Sequence, residues 1–498
     1  MLENKYKQIT ISEHISLYDK IIPKDNFLRK LKENIDFSFV NKLVEKEYSE
    51  KYGRPAKEPE MMYKLLFLEI KDSLSDREVI ERAKTDMAYK YFLDLNPEDC
   101  VPSYSLLSVF RNTKIKDESI LEEMLQETVK QAIEKGIIKS NSIIVDATHT
   151  NSKNLKKTPT QVLREISKKL RKEIYRNEPE LKEVFPVKPE ETASLEEEIE
   201  YTKKLAKALK EKITEKTNEK VRRKYKKLEE MLTEEKIEKI QSSIDKDARQ
   251  GYKSEDNDFF GYKSHVAMTR ERIVTALEVT SGEAPDGKFM TSLVEKSKRT
   301  GLEVKEVIGD KAYSGKDNLE YGKKNDIKII SRIHPIITNA IENKNDGFEF
   351  IKDADTFRCP MGTIAVRKKL ISGKKYKDGY RNDKMIYTFD KETCLNCPKK
   401  ETCLGKNKEN RAKRYTIKLL SIAHKEQYDF EQTEYFNKTL REERYKIEAK
   451  NAETKLAHGL CKARTVGLSG VRVQSYLTHI VTNLKRIIKL MDSKMAIE

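Results

Sequence analysis

The sequence lacks the long apolar segments of membrane-spanning and secreted proteins. No run approaches the ~20 apolar residues that cross a bilayer as a helix, and the opening residues, MLENKYKQIT, contain no apolar signal core. Cysteine is also scarce, with six in 498 residues. We therefore expect a cytoplasmic protein with no membrane partner, whose cysteines bind metal or are buried rather than paired in disulfides.

Positive charge is present in excess. Lys and Arg number 100 against 83 Asp and Glu, which gives a formal charge of +17 and a pI near 9.2. A surplus of this sign indicates a polyanionic partner, such as nucleic acid. The length is sufficient for about two to four domains, each with its own core.

Changes in composition divide most of the chain into helical and charged parts. Residues 1–135 have helical periodicity, as in PEMMYKLLFLEIKD, and predict an all-helical N-terminal domain. Residues 153–240 are rich in Lys and Glu and predict a long charged helical hairpin, which is either a solvated surface or an arm that contacts DNA. Residues 350–416 contain a cysteine insert, and residues 417–498 are helical again.

The segments 136–152 and 241–349 alternate strands and helices. SIIVDATHT is a β-branched run, FFGYKSHVAMT and RIVTALEVTSG predict a hairpin, and VKEVIGDKAYSG begins with a further strand. A meander followed by helix-connected strands predicts a mixed α/β sheet flanked by helices. A helix at about 469–492 is predicted to pack across this sheet.

Two acidic residues of these strands are candidates for a metal site. Asp146 and Asp310 each follow an apolar strand segment, and they converge if the first and fourth strands are neighbours. Paired carboxylates repel each other unless a cation is present, and oxygen ligands favour Mg²⁺ or Mn²⁺. A single acid at a strand exit is more often a turn residue or a helix cap, so the hypothesis requires a third acid.

The segment REERYKIEAKNAETKLAHG offers that third acid. At about 100° per residue, Glu448 lies about 40° and Lys455 about 20° from Arg444 around a helix. One face would then present a carboxylate beside two cations suited to phosphate oxygens. The alternative is a solvated helix whose charges pair with each other.

These motifs together resemble the DDE transposases of bacterial insertion sequences. The matching segments are VDATHTNSK, FGYKSH, IGDKAYSG and the spacing of Arg444, Glu448 and Lys455. The N-terminal segment GRPAKEPEMMYKLLFLEIKDSLSDREV resembles the helical domain that precedes the core in one branch of the family. The family's signature tyrosine, three residues before Arg444, is replaced here by Arg441.

The resemblance implies a fold, an activity and a set of site residues. It implies an RNase H-like core and a transposase that binds the terminal inverted repeats of its element, cleaves DNA with two Mg²⁺ or Mn²⁺ ions, and joins the 3′ ends to target DNA as a homodimer. The implied catalytic and metal-binding acids are Asp146, Asp310 and Glu448. The implied phosphate-binding residues are Arg444, Lys455 and Lys263, whereas His265 is expected to be satisfied within its strand.

Two other functions remain open. The chain could be an RNase H-like nuclease that does not join strands, or a catalytically inactive DNA-binding derivative of a transposase. The presence of all three acids argues against loss of catalysis.

The cysteine insert carries a second, independent metal signal. FRCPMG and CLNCPKKETC supply a CxxC turn with one further cysteine on either side, and this set suits a closed tetrahedral Zn²⁺ site. The sequence therefore predicts a zinc-ribbon-like insert with structural zinc on Cys359, Cys394, Cys397 and Cys403, with reduced, metal-free thiols as the alternative. Cys100 and Cys461 remain and are expected to be buried.

Overall fold

The computed structural model describes residues 15–49, 55–233, 237–252, 257–334, 346–351, 354–373, 375–376, 379–380, 383–404, 411–419 and 421–495. The opening stretch without a signal core lies outside these ranges, as does part of the cysteine insert.

Helices form the N-terminal part, as predicted. Ser75 caps one of them by a capping box with Glu78, and the longest is amphipathic, with Leu121, Leu125 and Val129 buried. The α-helices are Ile15–Ile21, Phe27–Asn34, Phe39–Val44, Pro59–Lys71, Asp76–Thr85, Met87–Phe92, Tyr104–Thr113 and Glu118–Glu134, with a 3₁₀ turn at Glu45–Glu47.

A mixed sheet follows, so the α/β class is confirmed. Its strands, within the described residues, are β1 (Ser142–Asn151), β2 (Arg249–Tyr252), β3 (Asp258–Thr269), β4 (Val274–Ser281), β5 (Glu306–Ile308) and β6 (Lys328–Ile330). β1, β3 and β4 pair antiparallel, and the order across the sheet is β4-β3-β1-β5-β6, while β2 pairs with the start of β3. β5 and β6 run parallel to β1 because helices connect them. These helices are Met290–Arg299 and Lys316–Lys324, and 3₁₀ turns lie at Asp286–Phe289 and Lys311–Tyr313.

The charged insert is a three-helix unit in its described residues, so the two-helix hairpin is a wrong prediction. The helices are Pro159–Asn177, Leu195–Lys210 and Glu219–Leu232, with 3₁₀ turns at Pro179–Val184 and Ile237–Lys239. The third helix was missed because its apolar residues, Val221, Tyr225, Leu228 and Met231, are separated by charged residues. They are buried together with Leu163 and Leu205 of the other helices, which gives the insert a hydrophobic core of its own.

The cysteine insert is built mainly of short antiparallel strands. A three-stranded sheet joins Arg367–Ile371, Lys384–Thr388 and Arg414–Lys418, and shorter ladders pair Glu349–Ile351 with Thr356–Arg358 and Lys375–Tyr376 with Gly379–Tyr380. Two short helices, Lys391–Leu395 and Lys400–Leu404, carry cysteines. Phe357, Tyr387, Phe389 and Tyr415 form a small separate core.

The C-terminal part is helical, with Ile422–Glu431, Glu434–Glu443, Tyr445–Leu456 and Leu468–Met495. The last helix packs against the sheet, as predicted, and against the N-terminal helices as well. The N-terminal helices, the sheet and this helix share one hydrophobic core. Among the described residues, none of the helices is both long and apolar enough to cross a bilayer. Cys100 and Cys461 are exposed, so the expectation that they are buried is wrong; both lie in surface turns between helices.

Candidate active site

Asp146 of β1 and Asp310, two residues past the end of β5, occupy equivalent positions along adjacent parallel strands. Ile144 of β1 pairs with Ile308 of β5, and each acid follows two residues after its paired isoleucine. Neighbouring strands lie about 4.8 Å apart, so both carboxylates emerge at the same edge of the sheet. The structure thus brings together the two acids that the sequence singled out.

The electrostatics of Asp146 reflect this proximity. The pKa of Asp146 is raised to about 7, mainly by burial and also by the charge of Asp310, while the Ala147 backbone hydrogen bond and the charge of Arg444 oppose the increase. A carboxyl group in this position is poorly solvated and is repelled by its neighbour. A cation between the two acids would relieve both effects.

The loop after β5 holds Asp310 in place. The Asp310 carboxylate caps the following 3₁₀ turn and accepts a hydrogen bond from the Ala312 backbone N–H at 2.9 Å. Gly309 is required here because a Cβ atom would lie 2.7 Å from the Tyr313 ring and 3.0 Å from Val145. The close packing of Tyr313 under this loop therefore depends on the glycine that precedes the acid.

The helix Tyr445–Leu456 docks against β1 beside Asp146. The Asn451 side-chain amide donates a hydrogen bond to Asp146 Oδ2 at 2.9 Å. One turn later, the Lys455 ammonium lies 3.1 Å from His149 Nδ1. Asn451 was not predicted from the sequence. On a helical projection it lies about 20° from Arg444, and this position indicates the same face as Glu448 and Lys455.

Glu448 lies on the same helix, one turn before Asn451. Its carboxylate is exposed and stands 3.8 Å from Arg444, whose charge also acts on Asp146. Within the described parts of the chain, no group of three or more His, Cys, Asp or Glu side chains is gathered closely enough to hold a metal ion. The meeting of all three acids therefore stays a prediction.

A further acid, Asp286, lies at the site and was missed from the sequence. Its charge acts on Asp146, and its carboxylate accepts a hydrogen bond from the Lys263 ammonium at 2.8 Å. Lys263 also bonds to the Ala284 carbonyl at 2.9 Å, so its predicted phosphate contact stays a prediction. Asp286 follows the end of β4 by five residues and belongs to no sequence motif. Only the tertiary structure brings it to the site.

His265 is a core residue, and the expectation that hydrogen bonds satisfy it holds for one ring nitrogen, since its Nδ1 is buried without a hydrogen-bond partner among the described residues. It is fully buried, its ring stacks on Phe289 with centroids 4.0 Å apart, and its Nε2 lies 3.0 Å from the Thr280 hydroxyl. Burial lowers the pKa of His265 to about 4, so the ring is neutral at physiological pH.

Tyr313 lies beneath the acids. Burial raises the pKa of Tyr313, and the charges of Asp146, Asp286 and Asp310 raise it further. Its hydroxyl is buried and has no hydrogen-bond partner among the described residues. Because its pKa is raised, the Tyr313 phenol stays protonated at physiological pH.

The four cysteines of the insert line a common cavity of about 670 Å³. Burial raises the pKa of the Cys394 thiol, and so do the other three thiols. The backbone turns back after Cys394, whose carbonyl accepts the Cys397 N–H at 3.4 Å. The thiols are neighbours, although in the described residues they are not gathered into a metal-binding group.

The comparisons with protein families agree with these features. A model described as "Transposase domain (DUF772)" matches residues 16–113, and one described as "Transposase DDE domain" matches residues 358–488. The two matches support a DDE-type insertion-sequence transposase. No curated protein matches the chain in sequence. The second match contains Glu448, while Asp146 and Asp310 lie between the two matched segments.

Proposed function

We propose that this transposase binds the terminal inverted repeats of its element, cleaves phosphodiester bonds there, and joins the resulting 3′ ends to target DNA. The observation that carries the proposal is the register of β1 and β5, which sets Asp146 and Asp310 side by side. The strand order β4-β3-β1-β5-β6, with β5 and β6 parallel to β1, supports an RNase H-like core. The basic charge of +17 supports a DNA partner.

The acidic residues fit a pair of divalent cations. Two Mg²⁺ or Mn²⁺ ions, when bound, would activate the attacking oxygen and stabilise the leaving oxygen of an in-line displacement. Asp146 and Asp310 would hold them, and Glu448 would join after a rotation of its exposed side chain away from Arg444. Asn451 fixes the orientation of Asp146 through its 2.9 Å hydrogen bond and thereby ties the Glu448 helix to the strand.

The cations of the same helix would position the DNA. Arg444 is half exposed, at 45%, beside the acids, and Lys455 is held one turn beyond Asn451. Both would contact backbone phosphates next to the scissile bond. Lys263 would make the same kind of contact once its ion pair with Asp286 has broken. Water would attack first and release a 3′ hydroxyl, which would then attack target DNA. Each attack forms one P–O bond and breaks another, so the chain needs no covalent nucleophile.

A cleavage and joining assay tests this function. Labelled duplexes that carry the element end are incubated with the full-length protein, Mg²⁺ and a target plasmid. We expect metal-dependent cleavage at the element end and labelled product joined to the plasmid. Cleavage without joined product would indicate a nuclease that does not transfer strands. Binding without any cleavage would indicate an inactive derivative, and either result would overturn the proposal.

We also propose structural Zn²⁺ in the cysteine insert. All four thiols line one cavity and interact electrostatically, and four thiolates are a donor set that suits zinc. Four protein ligands leave no position for substrate, so this metal would hold the short strands and helices of the insert together. It would take no part in the chemistry.

Removal of two insert cysteines should abolish zinc binding. In Cys394→Ser/Cys397→Ser we expect the zinc content measured by elemental analysis to fall from about one ion per chain to near zero. The insert should also become sensitive to proteases, because its small core is a single cluster. Cys100→Ser/Cys461→Ser is the matched control, since both residues are exposed and outside the insert. Zinc-free wild-type protein would contradict the proposal.

A further inference from the structure

The helical insert stands next to the active site because of where it leaves the sheet. It begins just after β1, the strand that carries Asp146, and returns at β2. The Asp245 carboxylate binds the Ser152 hydroxyl at 3.0 Å and the Tyr262 hydroxyl, so the junction is anchored to the sheet. Asp247 accepts the Leu468 N–H at 2.8 Å, which fixes the same junction to the start of the C-terminal helix.

The helix Glu219–Leu232 of the insert has an unbalanced charge. Six of the eight residues from 220 to 227 are Lys or Arg, and none is acidic. The helix Leu195–Lys210 of the same insert carries four Glu and four Lys, and its Glu200 pairs with Lys204 at 2.8 Å. On a surface that is only solvated, positive and negative charges are usually mixed, as they are on the helix Leu195–Lys210. With Glu219, Glu229 and Glu230 counted against its six basic residues, the helix Glu219–Leu232 carries a net charge of +3.

This basic face borders a cavity at the base of the insert. The cavity, of about 560 Å³, lies between the helix, the junction and the turn before the C-terminal helix, and we call it the basic cavity. Its basic lining residues are Arg223, Lys224, Lys226, Lys227 and Lys246. Its acidic lining residues, within the described chain, are Glu230, which lies 3.9 Å from Lys246, and Asp247.

Burial and the neighbouring cations both affect the pKa of Lys227. Burial lowers the pKa of Lys227, and the charges of Lys169, Lys224 and Lys246 lower it further, while Glu165 opposes them. Mutual repulsion of this kind costs stability in the free protein. A bound anion would remove that cost, and the number of cations indicates a ligand with several negative charges.

We propose that the basic cavity binds the phosphate backbone of the duplex DNA that enters the active site. The inference rests on the function proposed above and gives the insert a role in it. Five residues separate Asp146 from the end of β1 at Asn151, which is about 16 Å along the strand. Asn151 pairs there with Lys462, close in sequence to the turn at Gly467 that lines the cavity.

The spacing suits a continuous duplex. DNA carries one phosphate per ~3.4 Å along each strand, so the strand from Asp146 to its end corresponds to about five phosphates. A duplex held at the acids that followed β1 would come to the start of the insert after about this length. Contacts at this distance would add affinity without reading sequence, since they involve phosphates alone.

A salt titration of DNA binding tests the proposal. The variant Arg223→Gln/Lys226→Gln/Lys227→Gln removes three charges from the cavity, and glutamine preserves helix propensity. Binding of a labelled ~40-bp duplex is followed by fluorescence anisotropy in EDTA over a range of salt concentrations. We expect the affinity at low salt to fall about 10- to 100-fold and the slope of log K against log salt to decrease by about 2 to 3.

The matched control removes the same charge elsewhere on the insert. Lys203→Gln/Lys207→Gln/Lys210→Gln changes exposed residues of Leu195–Lys210, none of which lines the cavity. We expect its slope and affinity to remain close to those of the wild type. Equal slopes for the wild type and the cavity variant, or equal losses for variant and control, would overturn the proposal.

A cleavage assay distinguishes failure of this proposal from failure of the proposed function. Below saturating DNA, the cavity variant should cut a labelled element end more slowly than the wild type, in proportion to its weaker binding, because less DNA reaches the acids. If the wild type binds through the cavity but cuts no DNA, the proposed function fails while the DNA-binding surface stands. If the wild type cuts DNA and the cavity variant binds normally, only the present inference fails.

Discussion

We expect Asp310→Asn to reduce DNA cleavage by about 10³-fold or more while DNA binding is retained. The change removes one of two neighbouring carboxylates, and with it the charge needed to hold divalent cations. Asparagine can still accept the Ala312 N–H, so the 3₁₀ turn after β5 should be preserved. Cleavage is measured on a labelled element end in Mg²⁺, and binding is measured in EDTA.

Metal binding provides a second readout for the same change. Mg²⁺ should raise the Tm of the wild type by about 2–4 °C, because it relieves the repulsion between Asp146 and Asp310, and this increase should be absent in Asp310→Asn. The control Asp317→Asn removes an exposed acid from the next helix and should leave cleavage and the Mg²⁺ response intact. An Asp310→Asn protein that cuts at the wild-type rate would refute the site assignment.

We expect Arg111→Ala to destabilise the protein by about 3 kcal/mol, because it leaves a buried carboxylate without its main partner. Arg111 contacts Glu69 at 2.7 Å and Asp76 at 2.5 Å, and Glu69 is 5% exposed. Arg464, from the turn before the C-terminal helix, contacts Glu69 from the other side at 3.0 Å. This cluster joins three N-terminal helices to the C-terminal part of the chain, so its loss should lower the thermal stability of the shared core.

The effect of Arg111→Ala should depend on pH. Burial raises the pKa of Glu69 to about 7, and loss of the arginine should raise it further. Since a raised carboxyl pKa means that the folded state holds the proton, the destabilisation should grow as the pH rises from about 6 to 8. The control is Arg77→Ala, whose exposed side chain contacts Tyr104 and should change stability little. If the destabilisation measured in denaturant titrations did not change with pH, it would not arise from a Glu69 carboxylate left without its arginine.

Much of the secondary structure was predictable because local patterns determine it. The capping box of Ser75 and Glu78, the β-branched run of β1 and the hairpin of β3 and β4 each carry their signal within about ten residues. The third helix of the insert has an equally regular apolar spacing, but it was not predicted because most of its residues are charged. The exposed positions of Cys100 and Cys461 were not predictable, since residue type gives only an average burial.

The sequence by itself determined the α/β class and the family resemblance, and it predicted the acids Asp146, Asp310 and Glu448, because each of these depends on order and spacing along the chain. Only the tertiary structure decided that Asp286 and Tyr313 stand beside the acids, that Asn451 holds Asp146, and that Glu448 is turned toward Arg444. The N-terminal helices likewise share a core with the sheet instead of standing apart. These features arise from contacts between segments that are distant in sequence, and such contacts depend on how strands and helices pack rather than on any local pattern.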